Sequence, residues 1–153
     1  MTGASENNSV RGFVTLHIPA QYGYLRVVRQ SVLDTCVRAG LSEFDAAQLE
    51  MAVDEACANI IEHSYGSEAA AGDSADQGIH INLIQQQGRV VVELHDQGQG
   101  FEFDNYEFMK PADYIDGDHD RGLGMFIIHK FVDEVNYQRG APSGNCLKLT
   151  KYC

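Results

Sequence analysis

The most constraining feature is an apolar stripe inside the run LSEFDAAQLEMAVDEACANIIEHSYG. Leu49, Val53, Ala56, Cys57 and Ile60 recur at intervals of 4, 3, 1 and 3 residues. That rhythm is one buried face of an α-helix, and it excludes a strand, whose period is two. Ser42 is placed to cap the helix, with Asp45 as its capping-box partner, and Gly66 to end it. A helix of ~20 residues is about 30 Å long, enough to cross a small domain. Beside the stripe lie Glu55 and Asn59, four residues apart. On a helix their Cβ atoms sit roughly 6 Å apart. A carboxylate and a carboxamide on the rim of a core helix make a candidate site for a metal-bound polyanion.

The remaining chain must cover that stripe. FVTLHIP reads as a strand ended by Pro19, and residues 1–11 before it are expected to be frayed. YLRVVRQSVLDTCVRAG carries a second helical stripe, Leu25, Val28, Val32, Leu33 and Cys36, with Gly40 as its stop. Residues 67–78 are small and polar and read as a loop. IHINLIQQ and VVVELHD form an antiparallel hairpin across Gly88-Arg89. Residues 101–121 show no clean period. GLGMFIIHKFVDEV opens a third helix with Met125, Ile128 and Val132 inward. VNYQRG and NCLKLTKY form a closing hairpin. The order β-α-α-β-β-loop-α-β-β predicts an α+β two-layer sandwich, a mixed and mostly antiparallel sheet with helices on one face. Residues 1–153 suit one domain.

Charge narrows the function. The chain has 11 basic and 22 acidic residues, a formal charge of -11. That balance opposes binding to nucleic acid or an anionic membrane. No apolar run reaches the ~18 residues of a membrane span, and no signal peptide opens the chain, so a cytoplasmic location is expected. The four cysteines form no C-x-x-C pair, and reduced thiols are expected. No Cys/His spacing matches the usual zinc sets, so zinc binding is not expected either.

Three clusters carry the chemistry: Glu55-x-x-x-Asn59, Asp96-x-Gly98-x-Gly100 and Arg121-Gly122-Leu123-Gly124. Each alone has an ordinary explanation: a solvated helix face, a turn, or close packing. Together, in this order, they resemble the GHKL ATPase superfamily with its Bergerat fold, and within it the anti-sigma-factor serine kinases. VDEACANIIEHSYG resembles the N box, LHDQGQGFEF the first glycine box and RGLGMFIIHKFVDEV the second. The resemblance covers the chain from about Phe13 to Tyr152.

The resemblance implies ATP and Mg²⁺ as ligands. Asp96 is expected to accept a hydrogen bond from the adenine amino group. Gly98 and Gly100 would let the backbone approach base and ribose. Arg121, Gly122 and Gly124 would hold phosphate at a helix N-terminus. Asn59 would be the Mg²⁺ ligand and Glu55 the general base. An unperturbed Glu, titrating near ~4.3, is a weak base at neutral pH, so positioning and metal must supply most of the rate. Residues 101–121 correspond to a short ATP lid. His63 is expected to make a structural hydrogen bond at the helix end. A threonine often stands beside the adenine-binding aspartate in the family; here Cys146 is read into that place, with a weaker hydrogen-bonding thiol.

The implied function is a serine kinase and anti-sigma factor of a bacterial partner-switching system. Its substrate would be a serine of a STAS-domain anti-anti-sigma factor, and its second partner a sigma factor. Arg26 falls where the family meets partners, and apolar residues on FVTLHI would suit a homodimer. The alternatives are a histidine-kinase-like catalytic ATPase domain and an ATP-binding regulator without kinase activity. Glu55 favours serine transfer, because a hydroxyl needs a proton acceptor more than a neutral imidazole does.

Overall fold

The computed structural model describes residues 9–69, 78–101, 120–141 and 144–153. A strand β1 (Val10–Pro19) leads through a 3₁₀ turn (Tyr22–Tyr24) to helix α1 (Leu25–Ala39). Helix α2 (Glu43–Asn59) follows and passes directly into a π-helical turn (Ile60–Ser64). Then come β2 (Gly78–Gln86), β3 (Arg89–Asp96), α3 (Asp120–Phe131), β4 (Glu134–Ala141) and β5 (Gly144–Tyr152). This is the expected element order. β1 begins at Val10, so the frayed segment expected over 1–11 gives way at least two residues earlier.

The strands form one sheet in the order β1-β2-β3-β5-β4. All four pairings are antiparallel, where a mixed sheet was expected. Helices α1 and α2 join the antiparallel neighbours β1 and β2, and α3 joins β3 to β4, which run the same way but lie on either side of β5, so no parallel pair is hydrogen-bonded among the described strands. Period-two alternation divides the sheet into two faces. Ile79, Ile81, Leu83, Val90, Val92, Leu94, Leu147 and Leu149 are wholly buried, or nearly so, in one core with the helices. The other face carries His80, Glu93, His95, Cys146 and Lys148, half-buried or exposed.

The helix signals hold at atomic detail. Leu49, Val53, Ala56, Cys57 and Ile60 are all buried. Ser42 Oγ accepts the Asp45 N–H at 3.1 Å, as an N-cap should. Gly40 adopts φ 85°, and the Leu41 N–H reaches back to the Cys36 carbonyl at 3.0 Å, closing α1 with a left-handed cap. Lys151 fastens the layers together: its ammonium donates to Gln48 Oε1 at 2.9 Å and to the Phe131 carbonyl at 2.8 Å. No helix among the described residues is long and apolar enough to cross a membrane.

Candidate active site

The π turn sets the geometry of the site. The Tyr65 N–H bonds the Ile60 carbonyl at 3.0 Å, five residues back instead of four. Such single π turns often mark functional positions. This one brings Ser64, buried, against the end of β3. Ser64 Oγ donates to Asp96 Oδ1 at 2.5 Å and accepts the Gly100 N–H at 2.9 Å. The Ser64 carbonyl accepts the Gln99 N–H at 2.9 Å. The loop after β3 is thus laced onto the end of the long helix.

Asp96 is 2% exposed. Besides Ser64, its Oδ1 accepts the Gly98 N–H at 2.9 Å and Asn145 Nδ2 at 3.0 Å. Among the described residues all three bonds fall on Oδ1, so Oδ2 keeps its acceptor capacity. No wholly buried side-chain oxygen lacks a partner among those residues, so Oδ2 is not sealed inside the protein. A buried carboxylate held rigidly through one oxygen, with the other available, suits recognition of an amino group.

The cross-strand partner of Asp96 is Asn145, and Cys146 lies opposite His95. The expected neighbour therefore shifts by one residue, which on a strand means the opposite face. Asn145 is well suited to the place. Its amide donates to Asp96 and to the Gly98 carbonyl at 2.9 Å, and its Oδ1 accepts the Gly140 N–H at 2.9 Å. The weak thiol expected beside Asp96 is absent from that position.

Gly98 and Gly100 serve the protein's own packing. A Cβ on Gly98 would overlap Ser64, with its carbonyl oxygen at 2.5 Å and carbonyl carbon at 2.6 Å. Gly100 has φ +73°, and its Cβ would meet Arg139 Cγ at 2.8 Å and Tyr137 Oη at 2.9 Å. The absence of a Cβ at these glycines admits the helix end and β4. Phe101, the first residue of the expected lid, is buried and stacked on Tyr137 with ring centroids 4.9 Å apart. The rest of that lid, 102–119, lies outside the described residues.

A second cluster forms upstream on α2. Arg121, Gly122 and Gly124 lie within the first turns of α3, which starts at Asp120, so the glycines sit inside the helix instead of leading into it. A Cβ on Gly124 would stand 2.9 Å from Glu55 Oε2 and 3.6 Å from both Asn59 amide atoms. The second glycine box therefore meets the Glu55–Asn59 pair directly. Asn59 is buried, not on the rim, and its Nδ2 donates to Met125 Sδ at 3.6 Å. That contact leaves Oδ1 for another partner. The Glu55 carboxylate makes no hydrogen bond or ion pair among the described residues. Burial first, then the Asp54 and Glu62 carboxylates, raise its pKa above the ordinary carboxylate value. The weak base expected from an unperturbed Glu is thus strengthened.

His63 is half-buried. Its carbonyl accepts Gln99 Nε2 at 2.9 Å and its Nε2 lies 3.8 Å from Glu62. The helix end is therefore bonded to the glycine loop through the His63 backbone. Ser64 and Asn145 escaped sequence reading: a lone serine at a helix end and an asparagine in a closing strand carry no pattern.

Comparison with known proteins agrees with this geometry. The model of the histidine kinase-like ATPase domain matches residues 18–151. The serine-protein kinase RsbW of Bacillus velezensis is 30% identical over 144 residues, covering 92% of this chain and 85% of that protein. RsbW of Bacillus subtilis is 26% identical over the same shares. The RsbU and RsbW domains of a Mycobacterium tuberculosis protein superpose with TM-score 0.63 at 21% identity, over 92% of this chain and 32% of that one. The SiaB–SiaC complex from Pseudomonas aeruginosa gives TM-score 0.60 at 12% identity, over 95% and 92%. The chain belongs to the histidine kinase-like ATPase domain family and, within the GHKL superfamily, to the anti-sigma-factor serine kinases typified by RsbW.

Proposed function

We propose that this chain is an ATP-dependent protein serine kinase and anti-sigma factor of a partner-switching system. Its substrate is a serine on a STAS-domain anti-anti-sigma factor, and a sigma factor or equivalent regulator is its second partner. One observation carries the reading: a single helix and its π turn line both clusters. Ser64, bonded to Asp96, lies nine residues from Glu55, roughly 13 Å of helix. That is the order of length of an extended nucleoside triphosphate. Asp96 Oδ2 then takes the adenine amino group, and Glu55 and Asn59 stand at the phosphate end with Arg121, Gly122 and Gly124.

The residues suit Mg²⁺ there. A neutral amide oxygen, Asn59 Oδ1, is a hard ligand, and this ion prefers few protein oxygens beside phosphate and water. Bound Mg²⁺ would neutralise phosphate charge. Glu55 orients the incoming serine hydroxyl and accepts its proton, and its raised pKa fits that task. Buried Asn59 and close-packed Gly124 hold the carboxylate in a narrow space. Arg26 and the neighbouring Tyr22, Tyr24 and Val27 are exposed on and before α1, which suits a partner surface. On β1, Phe13 is 57% and Val14 43% exposed, which favours coverage by a second copy.

The test is a kinase assay with ATP, Mg²⁺ and the STAS-domain protein recovered with this chain from its native cell. Serine phosphorylation is expected from wild type, with Glu55→Ala binding nucleotide but transferring nothing and Asp96→Asn binding no nucleotide. Nucleotide binding without transfer by wild type would establish the ATP-binding regulator instead. Failure of wild type to bind any adenine nucleotide would remove the reading altogether.

A further inference from the structure

We propose that Glu93, His95 and Cys146 form a binding site for a borderline divalent metal ion, Zn²⁺ above all, on the sheet face opposite the helices. The inference does not depend on the kinase reading. His95 and Cys146 are direct cross-strand partners on β3 and β5, and Glu93 lies two residues before His95 on the same face. One ligand atom from each residue lies within 4.8 Å of the others. Cys146 Sγ and His95 Nε2 are 3.8 Å apart. Zinc bonds of about 2.3 Å to sulfur and about 2.0 Å to nitrogen put tetrahedral ligands roughly 3.5 Å apart, so the pair closes on the ion with a small adjustment.

The donor types select the metal. A thiolate with an imidazole disfavours Mg²⁺ and Ca²⁺, which take oxygen, and favours Zn²⁺. Three protein ligands leave a fourth position for water or a partner's side chain. The three residues are half-buried on two interior strands, and Glu93 and Cys146 border an open groove of about 570 Å³ also lined by Glu134, Gln138 and Lys148. Ion and solvent therefore have access to a preformed arrangement. Lys148 stands opposite Glu93 on β5. His80, opposite His95 on β2, is instead stacked on His17 with centroids 3.7 Å apart. The thiolate is the form that binds metal, so binding displaces the Cys146 proton.

The site is separate from the Asn59 cluster. His95 and Asp96 are consecutive on a strand and face opposite ways, as are Cys146 and Asn145. A metal here would clamp β3 to β5 directly behind the Asp96–Asn145 pair.

The test uses the full chain, stripped with a chelator, and Co²⁺ as the probe. Wild type is expected to bind one equivalent with a sulfur-to-cobalt charge-transfer band, which Zn²⁺ abolishes by displacement. Cys146→Ser should lose the band, and Cys153→Ser should keep it. His95→Ala and Glu93→Gln should each weaken Co²⁺ binding at least about tenfold, the lower end of what even outer-shell partners cost. Zn²⁺ should raise the melting temperature of wild type but not of Cys146→Ser, whose own melt reports whether it folds. No charge-transfer band in wild type, a band surviving in Cys146→Ser, or a band lost in Cys153→Ser would each overturn the site.

Discussion

Removing the Ser64 hydroxyl should cost more than its size suggests. Ser64→Ala deletes a hydrogen bond to the Asp96 carboxylate, worth about 1.5–3 kcal/mol for a charged acceptor. It also strips the buried Gly100 N–H of its acceptor, a further cost of about 1–3 kcal/mol. The loss is therefore about 3–5 kcal/mol, a large share of the ~5–15 kcal/mol that stabilises a domain. The side chain loses only one oxygen, so cavity formation adds little. With an m-value of about 2 kcal/mol/M, the urea midpoint should fall by roughly 2 M at unchanged slope. Ser31→Ala is the control. Its hydroxyl bonds the Val27 carbonyl on an exposed helix face, and its midpoint should stay within about 0.3 M of wild type. Nucleotide affinity should fall with the Ser64 change too, since only Gly98 and Asn145 would then hold the Asp96 carboxylate. A Ser64→Ala midpoint as close to wild type as the control's would refute the view that this hydroxyl joins helix to loop.

Other changes separate stability from chemistry. Glu55 has a raised pKa in the fold, so its protonated form favours folding and that contribution is lost as pH rises through the folded pKa. Glu55→Gln should therefore melt higher than wild type at pH 7, with the gap closing toward pH ~4, while phosphotransfer disappears; thermal melts across that range check the sign. Gly124→Ala places a methyl 2.9 Å from Glu55 Oε2 in a helix that itself prefers Ala by about 1 kcal/mol. It should melt no lower than wild type yet transfer phosphate about 10–100-fold more slowly, as expected for a displaced catalytic group. Lys151→Met keeps the apolar stem but removes the bonds to Gln48 and the Phe131 carbonyl. It should lower the melting temperature by roughly 3–10 °C, from a loss of about 1–3 kcal/mol.

What could be read from residues alone follows from which forces are periodic. The stripe from Leu49 to Ile60 was legible because burial repeats with the helix, and Gly40 because only a left-handed cap explains it there. The hairpins were legible because alternation survives where one face is buried. Ser64 was not, because the π turn that turns it toward Asp96 has no signature in the chain; its one extra residue per turn is a tertiary compromise. Asn145 was missed by one position, and one position on a strand reverses the face. The same property hides the outward cluster. Glu93 and Cys146 are 53 residues apart, a separation no ligand motif anticipates, yet antiparallel pairing sets them beside His95. Two adjacent strand positions on β3 and two on β5 thus divide their chemistry. Asp96 and Asn145 serve the helix side, and His95 and Cys146 the open side. A shift of register between these strands would dismantle both arrangements at once. The pairing of β3 with β5 is therefore as much a functional element as the residues it presents.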